Sequence, residues 1–449
     1  MPLQNFRDLF PVAFIFISLA SGYSYGAQPI DLAGAVAEAL ANSPSVKAAS
    51  AQAETNHWRK TEAFAGYLPT VTVNSTYLTN KKYLVSDLAL PGASNAITIP
   101  QTVPTTTWTA TAQMMIFDGF ATSERNAAAD SLESGAESNV EWQKFQIEHD
   151  VILQFYRAVA ASQLLAVANQ NQTTMEDHLK DVRLFKNAGM STNYDVLRVE
   201  VQASEARTEV MSAEDNAQMA RVKLGELMGA ETGDSGSFDR LPTGELPTLT
   251  SGQSKQVADV KIMSRKDLQA MQLKVDSADR SASAARRHYM PKVSLFGQYQ
   301  YYNNKNDSPT DRSAFRNAYS TGLALNWVLF DGFASTARAR SGASEKAEME
   351  FALSAKRRKA QTDVEFWRRK LAYFANLTTA RKGDISKSDE SVRLAKVGQK
   401  EGSRTSSDLL DAELELFRAK ADAINAQMGG IEAMVNLELA TGLSLYKFW

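Results

Sequence analysis

Two hydrophobic periods divide this chain. Four stretches alternate apolar and polar residues at a period of two. In 105–117, Trp108, Ala110, Ala112, Met114 and Ile116 share one face, while Thr107, Thr109, Thr111 and Gln113 share the other. In 319–330, Tyr319, Thr321, Leu323, Leu325, Trp327 and Leu329 oppose Ser320, Gly322, Ala324 and Asn326. Residues 68–80 alternate around Val71, Val73 and Tyr77, and residues 292–303 around Val293, Leu295, Tyr299 and Tyr301. This period predicts strands. Each is about the length of a tilted membrane strand, with aromatic residues toward its ends. A soluble, half-buried sheet shows the same period, so alternation alone does not choose between them.

The second period is helical. No proline occurs between Pro104 and Pro242, or after Pro309. Each proline-free span opens with a charged, alanine-rich run, ending at Gly189 and at Gly402. As a continuous helix each run would be ~100 Å long, well beyond an ordinary globular helix. On the returning legs Val196, Val199, Ala203, Ala206, Val210, Ala213, Ala217, Ala220, Leu224 and Leu227 follow a 3-4 spacing. So do Leu409, Ala412, Leu416, Ala419, Ala423, Ala426, Gly430, Ala433, Leu437 and Ala440. A sustained heptad of small residues predicts a close-packed coiled-coil seam. The second returning leg carries another stripe beside the first: Leu410, Leu414, Phe417, Ala421, Ile424, Met428, Ile431 and Val435. Two seams on one helix call for neighbours on both sides, as in a wall of helices; the plainer alternative is a helix buried in a bundle.

These segments repeat. FDGFA occurs at 117–121 and again 213 residues later at 330–334. Tyr67-Leu68-Pro69 matches Tyr289-Met290-Pro291. The series Gly189, Thr192, Asp195, Leu197, Glu200 and Gly229 matches Gly402, Thr405, Asp408, Leu410, Glu413 and Gly442 at the same offset. The first copy holds 9 more residues between its YLP and FDG marks than the second does between YMP and FDG. An internal duplication follows. Repeat 1 takes 28–229, with a helix, a β-hairpin (67–117), a long helix (120–188), a tip and a returning helix (193–229). A connector rich in Gly, Pro, Ser and Thr takes 230–262. Repeat 2 takes 263–442, with a helix, a hairpin (289–330), a long helix (333–401), a tip and a helix (405–441), and 443–449 form a tail.

Composition narrows the function. With 49 basic and 51 acidic residues the chain lacks the basic stripe of a nucleic-acid binder. It has no cysteine, hence no disulfide framework, thiolate metal site or lipid-modified N-terminal cysteine. Arg7, the apolar run 9–20 and the small residues Ser24 to Ala27 read as a secretory signal peptide over 1–27. A membrane anchor is the alternative, but that run is short of the ~20 residues a spanning helix needs. No later stretch reads as a transmembrane helix, so a membrane crossing would be made by strands. The histidines His57, His149, His178 and His288 lie far apart on helical stretches without ligand spacing, and His149–Asp150 reads as a helix-surface pair. No catalytic or cofactor fingerprint is present, so neither an enzyme, a metal site nor a cofactor is expected.

Four strands cannot close a barrel, and open sheet edges are not tolerated in lipid. If the strands insert, three chains would supply twelve, enough for an open passage, whereas eight would fill their own lumen. FDGFA then marks a junction from strand to long helix. Gly119 and Gly332 permit the change of direction, and Asp118 and Asp331 can bond the helix start. Phe117, Phe120, Phe330 and Phe333 suit a lipid–water boundary.

With leader, repeat, hairpins and paired long helices in place, the chain resembles the TolC-type outer-membrane channel proteins from about Asp31 to Gly442. The most specific segment is 402–412, GSRTSSDLLDA, which is similar to that family's second helix-turn-helix tip. The resemblance implies a mainly α fold with a membrane β-barrel. In it a homotrimer forms a twelve-stranded barrel continued by a long coiled-coil tunnel across the periplasm. It implies an outer-membrane location and lipid contact. It also implies work with a periplasmic adaptor and an inner-membrane transporter. The FDG phrase and the missing lipid-anchor cysteine lean toward type I secretion of a protein substrate through an ABC exporter, with a large adhesin as a finer possibility. The alternatives are an outer-membrane factor of a small-molecule efflux pump and a structural coiled-coil protein without a pore. Carried over by position, Asp408 and Asp411 would form acidic rings in the lumen, attracting cations. Arg404, paired with Asp195, would hold the entrance shut. Each of these could instead be an ordinary helix-end charge or N-cap. Gln399 stands where the family's type member has a tyrosine. The turns 186–194 and 399–407, with Gly189, Ser191, Thr192, Gly402, Ser403 and Thr405, would dock the adaptor, while 81–103 and 304–317 would be external loops.

Overall fold

The computed structural model describes residues 29–79, 84–88, 97–101, 103–230, 241–249, 265–306 and 308–445. The expected leader, most of the connector and residues 446–449 lie outside them. In chain order the elements are α1 (Leu32–Asn42), α2 (Pro44–Phe64), β1 (Thr70–Tyr77), β2 (Leu84–Leu88), β3 (Ile97–Gln101), β4 (Thr106–Phe117), α3 (Ala121–Asn187), α4 (Asn193–Met228), α5 (Lys266–Arg286), β5 (Lys292–Asn303), β6 (Phe315–Asn326), α6 (Ala334–Lys400) and α7 (Ser406–Thr441). The duplication is metrically faithful. Both long helices have 67 residues and both returning helices 36, about 100 Å and 54 Å at 1.5 Å per residue.

The main sheet is antiparallel in the order β1-β4-β5-β6. Its register sorts the faces. Val73, Ala110, Tyr299 and Tyr319 follow one another across the four strands, as do Val71, Ala112, Gly297 and Thr321. The opposite face carries Thr72, Thr111, Gln298 and Ser320 in the same order. One face is therefore apolar and aromatic, the other lined with hydroxyls and amides. β1 and β6 are edges, and their side chains are almost wholly exposed.

Three differences from the sequence reading have physical causes. β6 ends at Asn326, so Trp327, Val328, Leu329 and Phe330 lie beyond it, while β4 runs to Phe117. Beyond Gln113, where β1 begins, β4 is held by β5 alone, which carries it past a bulge to Phe117 opposite Val293; β6 ends where Lys292, the first paired residue of β5, meets Asn326. The supposed loop 81–103 contains the separate hairpin β2–β3, which accommodates the longer first copy, and 315–317 of the supposed loop 304–317 already pair in β6. α3 also contains an 18-residue window of mean hydropathy 1.5 that composition could assign to a membrane. Instead Val151, Ile152, Phe155, Tyr156 and Val159 form the largest core with Leu32, Ala35 and Val36 of α1, Leu224 and Met228 of α4, and Ile431 and Val435 of α7.

That core answers the double stripe on α7. Its heptad seam packs against α6 within its own hairpin, burying Leu409, Ala419, Ala423, Ala426, Ala433, Leu437 and Ala440. The adjacent stripe crosses to the first repeat. Ile431 and Val435 enter the α1–α3 core, and Leu410 and Leu414 pack with Met175, Leu179, Val182 and Val199. On α4 the equivalent stripe has no such partner: Leu197, Val201 and Met211 are 54, 56 and 62% exposed. Ile431 is fully buried where α3 and α7 meet. Ile431→Ala is expected to lower the unfolding free energy by about 2–5 kcal/mol, measured by thermal denaturation followed by circular dichroism, whereas Leu197→Ala leaves the folded chain within about 1 kcal/mol of wild type.

Candidate functional site

Two kinds of place concentrate unusual geometry: the strand-to-helix hinges and the two helical tips. At each hinge the backbone takes two left-handed residues in succession, Gly119 and Phe120 (φ 71° and 67°) and Gly332 and Phe333 (φ 66° and 68°). Glycine adopts this without strain. A phenylalanine there costs roughly 1–2 kcal/mol, and both copies retain it. These are the only non-glycine residues with positive φ among those described. Compensation comes from the aspartates. Asp118 Oδ2 accepts from Thr122 N at 2.8 Å and Thr122 Oγ1 at 2.7 Å. Asp331 Oδ2 accepts from Ser335 N at 2.9 Å and from the Ser335 hydroxyl. Each therefore satisfies free donors in the first turn of its long helix. Edge-to-face contacts Phe117–Phe120 and Phe330–Phe333, with ring centroids 5.6 and 5.5 Å apart, lock the bend.

Both tips turn on a left-handed glycine, Gly189 and Gly402, and restart on a capping box. Thr192 Oγ1 accepts from Asp195 N at 3.2 Å, while Asp195 Oδ2 accepts from Thr192 N (2.9 Å), Thr192 Oγ1 (2.6 Å) and Ser191 Oγ (3.2 Å). Thr405 and Asp408 repeat this, with Thr405 N and Oγ1 both 2.9 Å from Asp408 Oδ2. These hydrogen bonds from threonine hold Asp195 and Asp408 below the ordinary carboxylate range. Ser403 Oγ donates to Gly398 O at 3.1 Å. An open groove between α6 and α7 gathers Arg404, Asp408 and Asp411 with Lys387, Ser391 and Glu415.

Arg404 does not pair with Asp195 within the chain. Asp195 Oδ2 is engaged by the first cap, and the Arg404 stem folds over Gly398, where a Cβ would meet its Cγ at 2.6 Å. The two tips are joined by Arg198, which reaches Asp411 Oδ1 at 3.2 Å and the Ser407 hydroxyl. Arg198 and Asp411 are equivalent positions of the two repeats. Their charges carry no periodic signal, so the sequence did not single out Arg198.

The histidines also moved. His149 is no surface residue: it is 1% exposed, with Nε2 2.8 Å from Glu438 Oε2 and Nδ1 2.7 Å from Phe145 O. His178 is buried between the tips, 3.0 Å from Ser406 Oγ. No cluster of three or more His, Cys, Asp or Glu able to hold a metal occurs among the described residues.

Residues 260–443, which include the whole of the second repeat, match the family described as Outer membrane efflux protein. Solved structures carry the same fold over the chain's length. The outer membrane protein VceC of Vibrio cholerae superposes with a TM-score of 0.76 at 16% identity, covering 92% of this chain and 97% of that one. The chain thus has the fold of solved outer-membrane channel proteins, and its second repeat matches the outer membrane efflux family. A membrane protein from Pseudomonas aeruginosa gives a TM-score of 0.76 at 17% identity over 92% of this chain and 93% of its own. Among sequences, the outer membrane protein TolC of Vibrio cholerae serotype O1 is 22% identical over 289 residues. That is 64% of this chain and 66% of that protein, just under two thirds of its length. The outer membrane efflux protein BepC of Brucella suis biovar 1 is 23% identical over 340 residues, 73% of this chain and 70% of its own. The four-stranded sheet and paired long helices of this chain correspond to the fold of those solved structures.

Removing the hinge cap should cost what an N-cap costs. Asp118→Ala is expected to lower stability by about 1–2 kcal/mol, with faster hydrogen exchange in the first turn of α3 and none of that change in α4.

Proposed function

We propose that three copies of this chain share one twelve-stranded barrel and conduct an unfolded protein substrate from an inner-membrane ABC transporter, through a periplasmic adaptor, across the outer membrane. The observation that carries the conduit is the sheet itself. It has one apolar aromatic face, one polar face and two unpaired edges, a combination stable in lipid only when closed by further copies.

The duplication supports what closes it. Gly119 lies against Met290 of the second repeat so tightly that a Cβ would meet Met290 Cβ at 2.4 Å. Gly332, its equivalent, has nothing within 4 Å. The residue equivalent to Met290 is Leu68, half exposed at the start of β1. A neighbouring copy placing its Leu68 on Gly332 would make every hinge alike, pair β6 with the neighbour's β1, and cover the bare stripe of α4. Three chains then close the ring.

The tips serve as gate and docking surface in this reading. Asp408 and Asp411 face the axis as acidic rings, Arg404 restrains the entrance, and Gly189, Ser191, Thr192, Gly402, Ser403 and Thr405 meet the adaptor. Phe-Asp-Gly at both hinges favours protein secretion. The family's description and the name of the Brucella relative favour the second reading, the outer-membrane component of a small-molecule efflux pump. A gene deletion separates them: loss of an exported protein from the medium with unchanged drug tolerance supports the first, and the reverse supports the second.

Leu68→Asp should reduce the trimer band on unheated gels at least tenfold while secondary structure persists. In planar bilayers the wild-type protein should give small cation-selective steps. Asp408→Ala/Asp411→Ala should lower the cation preference several-fold, and Arg404→Ser should enlarge the steps; insertion of trimers without any conductance would overturn the conduit.

A further inference from the structure

The two tip hairpins have diverged at one pair of equivalent positions. In the first, Arg183 of α3 closes on Glu200 of α4 at 2.6 Å, an ion pair internal to the hairpin. In the second, the equivalents are Lys396 of α6 and Glu413 of α7. Glu413 makes no hydrogen bond there. Its Oε2 is buried without a hydrogen-bond partner, and it points across to the first hairpin, 3.6 Å from His178 Nδ1. His178 is 4% exposed, and its Nε2 is 3.0 Å from the hydroxyl of Ser406, the first residue of α7. His178, Ser406 and Glu413 thus sit directly behind the tip, where Leu410 and Leu414 of α7 pack on Met175, Leu179 and Val182 of α3.

We propose that this buried contact is a proton-dependent latch, which docks the second tip hairpin on the first and releases it as Glu413 ionises. It rests on reading these tips as the channel gate.

Burial pushes the Glu413 carboxyl up to about 7, with Asp181 adding to the rise and Lys396 opposing it. Burial also lowers the His178 imidazole, partly offset by Asp181 and by Ser406. The charged groups around the latch are therefore Asp181 on α3, Lys396 on α6, and, on α4, Arg198, already engaged by Asp411 and Ser407. None donates to the free oxygen of Glu413.

The direction follows from the raised value. The docked form binds the proton more tightly than a hydrated glutamate, whose ordinary value is 4.5. Docking is then favoured fully below about 4.5 and weakens as pH rises through about 7. Above 7 a buried carboxylate without donors is costly, and hydration by separation of α7 from α3 relieves it. One proton is involved, so the ratio of docked to undocked tips should fall up to tenfold per pH unit between about 4.5 and 7 and level off above 7.

Hydrogen exchange of the purified full chain in detergent, from pH 5 to pH 9 and corrected for intrinsic rates, reads this directly. Protection of residues 406–417 should fall up to tenfold per unit between pH 5 and pH 7 in wild type, level off above pH 7 and stay level throughout in Glu413→Gln, while 431–437 stays level in both. A wild-type slope absent between pH 5 and pH 7, or one that persists in Glu413→Gln, overturns the latch. Should Glu413→Gln fail to assemble, the wild-type slope decides alone. Conductance is recorded over the same range. A pH-dependent exchange slope with no change in channel opening keeps the latch and discards the tips as the gate.

Discussion

Backbone groups at a sheet edge must find partners, and in hydrocarbon each one left alone costs several kcal/mol. The main sheet of this chain has four strands, with β1 and β6 as its open edges among the described residues. Much of the rest of the molecule answers that constraint. In the proposed conduit the apolar face turns toward lipid, and the two edges call for further copies. The hinges redirect each hairpin into a helix too long for a globular domain. Even the strained Phe120 and Phe333 belong to this requirement, since a strand must become a helix within a few residues at a fixed angle.

Duplication sets how the demand is met. In the proposed trimer a repeat packs its neighbour in the same manner wherever the neighbour comes from, so contacts seen once inside the chain are the pattern for those between chains. Gly119 against Met290 and the second stripe of α7 against α3 are internal instances. Gly332, Leu197, Val201 and Met211 are the same positions without their partner. Where the copies differ, the difference is informative. Arg183–Glu200 stays within its hairpin, whereas Glu413 has turned to His178 and couples the two.

Periodicity carries the fold because strand and helix faces are local consequences of side-chain direction. Alternation marked β1, β4 and β5 closely, and the double stripe on α7 told correctly of two neighbours. It failed where the outcome depended on pairing. β6 stops short because nothing lies beyond β5 to hold it, and β2–β3 formed in a stretch with no clean alternation. The apolar window in α3 became core because α1, α4 and α7 cover it, which no local pattern states.

At the tips and hinges the boundary is sharper still. Glycine, aspartate and threonine at fixed offsets declared the turns and caps, because capping is a contact among residues three or four apart. The sequence alone thus determined the duplication, the element types and the capped ends. Only the tertiary structure decided that Phe120 and Phe333 take the left-handed strain, that Asp411 meets Arg198 while Asp195 is consumed by its own cap, and that His149 and His178 are buried against Glu438 and Glu413. Those partners lie more than 200 residues apart, brought together by packing one hairpin on another, and charge and burial at such distances are properties of the assembled core.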